Sequence, residues 1–389
     1  MIFVPTPHEE KYIDILDKFS HNEFIFIRMT ETMHKKSIID ANASLRMFLN
    51  ETFGIDYSTI RQGQEHKIMN SCNLLTPNGV SEVEISYYRP ETKKGDPRFW
   101  IYGIKKVVFT DDMFIFTSYN GSPLIIPLKW SFEDFENLIS NTLGSYEVKL
   151  SKIQKELVEK LKVVHAKGWI KTLRTGDTGV GFTFEKLLGI EANSSKEPDY
   201  KGIEIKTSRK NGNNNLQTLF SKTPEWGVYK NRGELVINRG YWDEDKSRYA
   251  LYMTINAIKP NSKGWKLKID YDEEKIYIIQ NSDKTVYYDF EVVKTALETK
   301  HKETLFIKAD VRNKKKIKDP NEEFYYNEAF LCVGSSFASF LSLVEKGLVS
   351  LDFAIHHDPK TKKTRDHGFL WRMNKQYIPM LFKEHKKIL

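Results

Sequence analysis

The sequence predicts an α/β (α+β) protein of two domains, and three observations carry that expectation. Period-two apolar runs such as "EVEISYYRP" alternate along the chain with segments such as "SKIQKELVEKLKVVH", whose apolar residues recur at helical spacing. The 389 residues are about two domains' worth of chain, and 40% hydrophobic with 13% aromatic residues can bury substantial cores. Charge also changes sign along the chain. Residues 1–150 hold 16 Lys+Arg against 20 Asp+Glu, whereas residues 151–389 hold 44 against 32. A strand-rich α+β accessory domain is therefore expected over residues 1–145, and a second, basic domain over 146–389.

In the first domain, "KYIDILDKFS" and "DANASLRMFLNETFG" have helical spacing. "EVEISYYRP", "RFWIYGIKKVVF" and "MFIFTSYNGSPLIIPL" read as strands, with turns at Gly95-Asp96-Pro97 and Asn120-Gly121. "SFEDFENLIS" is a helix opened by Ser131 as its N-cap, and the domain closes near Gly144. The second domain begins with a helix over Tyr146 to His165, followed by a Gly/Thr-rich loop, "RTGDTGVG", and a helix, "FTFEKLLGI". Strands follow in "IEIK", "YALYMTINAI", the hairpin "GWKLKIDYDEEKIYIIQ" and "ETLFIKADV". "SSFASFLSLVEKG" is helical, and "LVSLDFAIHHD" is a strand running into a basic loop, "PKTKKTRDHG". "KNGNNN" and "RNKKKIKD" are short polar loops.

Several classes of protein are excluded or disfavoured. No run reaches the roughly 18 consecutive apolar residues of a membrane helix, and the N-terminus lacks the basic flank and apolar core of an export signal. Cys72 and Cys332 stand far apart in a lysine-rich chain, which argues against a disulfide framework and for a reducing, cytoplasmic setting. No paired His/Cys spacing suggests zinc, and no P-loop is present. His165 and His301 read as surface or capping residues, and Trp169 and Trp226 as packing residues. A positive excess concentrated in one domain fits a binder of the nucleic-acid phosphate backbone.

The stretch "EPDYKGIEIKTSRK" carries the most specific chemistry. Along a strand, Glu204 and Lys206 project to one side and Ile203 and Ile205 to the other. Pro198 stiffens the approach, while Gly202 permits a turn that brings Asp199 toward Glu204 and Lys206. Two carboxylates and an ammonium together suit metal-dependent phosphodiester hydrolysis: hard oxygens hold Mg²⁺, and the lysine orients a water. Glu185, fourteen residues before Asp199 on the preceding helix, offers a third carboxylate.

The segment "TGVGFTFEKLLGIEANSSKEPDYKGIEIKTSR" resembles the catalytic core of the MvaI/BcnI-type restriction endonucleases and, more distantly, the mismatch-repair nicking enzyme MutH. All use the PD...(D/E)XK pattern, here Pro198-Asp199 and Glu204-Ile205-Lys206. "LQTLFSKTPEW" and "DHGFLWRMN" are similar to that family too, so the resemblance runs from about Leu150 to the end. It implies a restriction-endonuclease-like core, a mixed β-sheet flanked by helices, with DNA held between catalytic and recognition lobes. It implies that Asp199 and Glu204 ligate divalent metal, with two magnesium ions expected, that Lys206 assists the water and that Glu185 helps to ligate or orient. It further implies cleavage of double-stranded DNA at short GC-rich, CCNGG-like sites by a monomer, beside a cognate DNA methyltransferase.

Base reading is expected from "HHDPKTKKTRDHGFLWRMN". Arginine can contact guanine O6 and N7, histidine can donate to guanine, and aspartate can accept from cytosine N4. His367 and Arg372 lead, followed by Asp366 and Arg365; Lys360, Lys362 and Lys363 suit phosphates. Lys171, Arg174 and Thr178, in the glycine-rich loop, are expected near the DNA backbone or minor groove. For the first domain an accessory, effector-type DNA contact would use Arg61, Lys67, Arg89, Lys93, Lys94 and Arg98. Two alternatives stay open: a MutH-like nicking enzyme working with repair partners, and a catalytically silent DNA-binding regulator.

Overall fold

The computed structural model describes residues 6–19, 24–92, 95–143, 150–190, 197–210, 216–316 and 318–389. Two compact units emerge: residues 1–147 with 338–346 and 380–384, and residues 148–337 with 347–379 and 385–389. The boundary expected at 145/146, Lys93, Lys94 and residues 211–215 of the "KNGNNN" loop lie outside the described residues.

The first unit is built on one seven-stranded sheet. Its strands are β1 (Phe24–Arg28), β2 (Ile39–Asp40), β3 (Ile68–Thr76), β4 (Gly79–Tyr88), β5 (Arg98–Ile101), β6 (Met113–Tyr119) and β7 (Ser122–Pro127), in the order β1-β6-β7-β3-β4-β5-β2. The helices are α1 (Pro7–Phe19), α2 (Glu31–Lys36), α3 (Ala43–Phe53) and α4 (Phe132–Leu143). Phe48 of α3 packs edge-on against Phe116 of β6 at 5.7 Å, inside a core that also buries Phe99 and Phe114. Asn120 and Gly121, both at positive φ, close the β6–β7 hairpin as expected. Ser131 accepts the Asp134 N–H at 3.1 Å and so caps α4. The strand expected over "RFWIYGIKKVVF" stops at Ile101, because Gly103 at φ +85° turns the chain into a 3-10 turn at Ile104–Lys106.

In the second unit, α5 (Lys152–Ala166) starts later than Tyr146, at a capping box made by Ser151 and Gln154. It leads to β8 (Ile170–Lys171), α6 (Gly179–Leu187) and β9 (Glu204–Arg209). The Gly/Thr-rich loop is shorter than its composition suggests, since Gly179 to Gly181 already belong to α6. Next come β10 (Leu216–Ser221), α7 (Arg232–Arg239), β11 (Tyr241–Asp243), β12 (Arg248–Ile255), the meander β13 (Trp265–Asp270), β14 (Lys275–Gln280) and β15 (Asp283–Asp289), and α8 (Phe290–Lys300). The chain continues through β16 (Glu303–Arg312), β17 (Glu323–Ser335), β18 (Val349–Asp358) and β19 (Lys363–Asn374), while α9 (Phe337–Glu345), between β17 and β18, is counted from Ala338 on with the first unit.

A mixed sheet places the site. β9 runs parallel to β16, which pairs antiparallel with β17, and β9 is the terminal strand on its side. Leu157, Leu161 and Val164 of α5 and Val180 and Phe184 of α6 bury against Ile205, Leu305 and Ile307 of this sheet. A second, antiparallel sheet has the order β10-β19-β18-β12-β11.

Two expectations are corrected here. The basic segment expected as a loop is mostly strand: Lys363 to Gly368 belong to β19, pairing Asp358 with Lys363 and His356 with Arg365. Only residues 359–362 form the turn, where Asp358 Oδ1 accepts the N–H groups of Lys360 (2.8 Å) and Thr361 (3.2 Å). His301 does cap α8, but it is fully buried rather than on the surface.

Candidate active site

The turn before β9 is tight. Lys201 and Gly202, at φ +47° and +92°, occupy its corner, and Tyr200 and Ile203 exchange both backbone hydrogen bonds at 2.9 and 2.8 Å. Glu156 of α5 pins the turn by accepting from Tyr200 (2.5 Å) and Lys201 (2.8 Å). The chain therefore doubles back, and Asp199 Oδ2 accepts the backbone N–H of Ile205 at 2.9 Å. Asp199 thus sits against β9, the strand that ends the sheet.

A cleft of about 390 Å³ opens there, lined by Arg174, Asp177, Thr178, Glu185, Asp199 and Lys206 among others. α6 comes close because Gly181 has no side chain: a Cβ there would stand 3.0 Å from Thr207 Oγ1 and 3.6 Å from Glu185 Oε1. Glu204 is fully buried and meets the cleft through Lys206, whose ammonium bonds Glu204 Oε1. Oε2 faces the Lys300 ammonium at 2.8 Å, an ionic contact without the alignment of a hydrogen bond.

The electrostatics are those of crowded carboxylates. Burial, then the nearby Asp199 charge, pushes the Glu185 carboxyl above its ordinary value. Burial likewise raises that of Glu204, against the opposing pull of Lys206. Among the described residues no three Asp, Glu, His or Cys side chains form a ready-made metal cage. The donor set nevertheless suits a hard divalent cation held by two carboxylates and waters, because such a cation offsets the charge that burial, and secondarily the neighbouring carboxylate, penalises in Glu185 and Glu204.

The remaining residues named from sequence fall in two places. Arg174 and Thr178 line the cleft, Arg174 lying 3.7 Å over the Phe182 ring, while Lys171 is exposed on β8 outside that lining. Arg365, Asp366, His367 and Arg372 lie along β19. Arg365 and His367 are exposed, and His367 stacks on His356 at 6.2 Å. Asp366 accepts from Arg232 of α7, and Arg372 donates to Asp352 at 2.7 Å.

Sequence reading missed three cations. Lys300 carries no local signal, being brought to Glu204 only by the fold. Arg232 became visible only once α7 was set beside β19. Arg209 ends β9 and holds the fully buried Glu322 bidentately at 2.7 and 2.9 Å, while donating to the carbonyls of Gly176 (2.8 Å) and Asp177 (3.1 Å). One guanidinium thereby ties β9 to the loop that lines the cleft.

A family model described as the MvaI/BcnI restriction endonuclease family matches residues 158–382. A solved structure described as a restriction endonuclease MvaI-cognate DNA substrate complex is 29% identical, with a TM-score of 0.52, over 62% of this chain and 100% of that one. Another, described as restriction endonuclease MvaI in the absence of DNA, has the same identity and coverage with a TM-score of 0.40. No curated protein matches the chain. With more than half of its length matched by the family and with that likeness to a DNA-bound relative, this chain belongs to the MvaI/BcnI restriction endonucleases and is a site-specific DNA nuclease.

Proposed function

We propose that the protein is a type II restriction endonuclease that hydrolyses phosphodiester bonds of double-stranded DNA at a short GC-rich site of the CCNGG kind, with magnesium as its metal. The observation that carries this reading is the meeting of Glu185, Asp199 and Lys206 in one cleft, with Glu204 bonded to Lys206 behind it. Asp199 and Glu204 are the metal ligands, for two divalent ions, and Glu185 helps to ligate or orient. Bound there, magnesium supplies Lewis-acid stabilisation of phosphate charge and an acidified water. Lys206 orients that water and neutralises charge on the scissile phosphate, and Arg174 and Thr178 hold the backbone beside it.

Base reading falls to β19 and its neighbours. Arg372 and Arg365 suit guanine, Asp366 suits cytosine N4, and His367 donates to guanine. The Asp366–Arg232 and Arg372–Asp352 pairs hold two of these side chains in place before DNA arrives. The enzyme cuts as a monomer in the cytoplasm and works beside a cognate methyltransferase that protects host sites. The first unit is assigned an accessory, effector-type DNA contact through cations such as the exposed Arg61; Arg89 and Arg98 are committed internally, to Gly95 O and Asp40.

The test is digestion of unmethylated phage DNA by the purified full chain, with Mg²⁺ or with EDTA, followed by sequencing of fragment ends. Discrete Mg²⁺-dependent fragments sharing one GC-rich sequence are expected. Absence of cleavage on both unmethylated and methylated DNA refutes the reading.

A further inference from the structure

Of the four residues at the centre, Glu204 alone is fully buried, and its two oxygens have different surroundings. Oε1 meets Lys206, which lines the cleft. Oε2 has no accessible surface and faces Lys300 at 2.8 Å, and Lys300 is not part of the cleft lining. The approach to Glu204 is therefore two-sided. One ammonium, that of Lys206, lines the cleft and the other, that of Lys300, lies outside its lining.

The rear ammonium is held by a braced backbone. Lys300 is the last residue of α8, and His301 follows as its C-cap, donating its backbone N–H to the Leu297 carbonyl at 2.8 Å. The buried His301 ring reaches the Leu219 carbonyl of β10 at 2.8 Å through Nε2 and the Thr304 hydroxyl at 2.9 Å through Nδ1. A carbonyl only accepts, so Nε2 carries the proton and Nδ1 accepts from Thr304. Thr304 is itself the residue of β16 in register with Glu204 across the parallel ladder. The helix end that delivers Lys300 is thus fixed to the strand beside the carboxylate it serves.

We propose that Lys300 is a positioning residue of the nuclease centre, anchoring Glu204 Oε2 from behind so that Oε1 is presented toward the cleft as a ligand for the divalent cation. This rests on the assignment of Glu204 as a metal ligand. Without Lys300 the carboxylate keeps one counter-charge, Lys206, and is free to turn Oε2 toward it as well, so that Oε1 is no longer held in one orientation at the edge of the cleft. Groups that orient a metal ligand in this way typically govern affinity for the metal by about 10–100-fold.

The experiment uses full-length Lys300→Met and Lys300→Gln beside the wild type. Calorimetry with Ca²⁺ reads cation binding without turnover, and the half-saturating Mg²⁺ for cleavage reads the same site in action. Both constants are expected to rise about 10–100-fold in K300M, with cleavage recovering at high Mg²⁺ and metal-free DNA binding retained. A merely structural lysine would lower the melting temperature and leave the metal constants unchanged, which overturns the proposal. Tighter Ca²⁺ binding also overturns it, since Lys300 would then be a competitor of the cation. Should K300M fail to fold, K300Q carries the same test in the same direction. Loss of metal-dependent cleavage in the wild type would instead refute the nuclease mechanism, and the Ca²⁺ titration keeps the two failures apart.

Discussion

Lys206→Met keeps most of the side-chain length and removes the charge that this mechanism needs at the cleft. The ammonium lines the cleft with Asp199 and Glu185, so it stands within contact range of a bound phosphate or water. A unit charge about 4 Å from a developing negative charge, at an effective dielectric near 20, contributes roughly 4 kcal/mol. At about 1.4 kcal/mol per decade this corresponds to a loss of about 10³-fold in the cleavage rate. Stability should suffer less, because Glu204 keeps Lys300 at 2.8 Å and is not left as a buried charge without a partner. The assay is single-turnover cleavage of a duplex carrying the mapped site, paired with Ca²⁺-supported mobility shift and thermal melting. A rate within tenfold of wild type refutes the catalytic role, and loss of folding or of specific binding makes Lys206 a structural lysine instead.

Two further outcomes are expected. Arg209→Met leaves buried Glu322, among the described residues, with Lys314 alone as counter-charge, 3.5 Å away, so the protein should lose about 3–5 kcal/mol, a fall of roughly 10 °C in melting temperature. Cleavage should fall with it as the Gly176–Asp177 loop is released; a melting temperature within about 2 °C of wild type refutes the clamp. His301 has its pKa lowered to about 3 by burial, with the Lys206 charge adding to it, against about 6.5 in the unfolded chain. Above pH 6.5 the ring is neutral in both states, whereas below it only the unfolded chain takes up the proton, so stability is lost as pH falls toward 3. Between pH 7 and pH 5 that loss is about 2 kcal/mol, and the difference between wild type and His301→Gln in denaturant unfolding should shrink accordingly. A pH-independent difference refutes it.

What the sequence made legible is local in origin. Strand alternation in "IEIK", the turn allowed by Gly202 and the helix carrying Glu185 are short-range features, and the structure places Asp199, Lys206 and Glu185 around one cleft. Lys300 was invisible because its ammonium reaches Glu204 only after the fold brings the end of α8 to the start of β9, a contact between distant parts of the chain. The strand Lys363 to Gly368 was hidden for a different reason. Its residues face solvent on an exposed hairpin, so charge replaced the apolar alternation that marks a half-buried strand. "RFWIYGIKKVVF" failed in the opposite direction, its apolar character coming from a buried 3-10 turn at Ile104 rather than from continued strand.

The charge of the second unit also changes meaning once the pairs are known. A net +12 over residues 151–389 invites the view that most of its cations face phosphate. Lys206 and Lys300 instead neutralise Glu204, Arg209 neutralises Glu322, and Arg372 and Arg232 are paired with Asp352 and Asp366. Burying Glu204 and Glu322 near the two ends of one strand requires nearby positive charge whether or not DNA is present. These cations are largely cancelled by the carboxylates they hold, and the field that DNA meets arises from exposed residues such as Lys171, Arg174 and Arg365. On the base-reading role proposed for β19, the pairs at Arg232 and Arg372 join the two roles: each arginine already holds a carboxylate, so contact with a guanine would exchange one charge-assisted bond for another. That exchange favours a base edge which offers a partner of equal quality and disfavours one which does not, so the same ion pairs that pre-position the side chains also sharpen discrimination between sites.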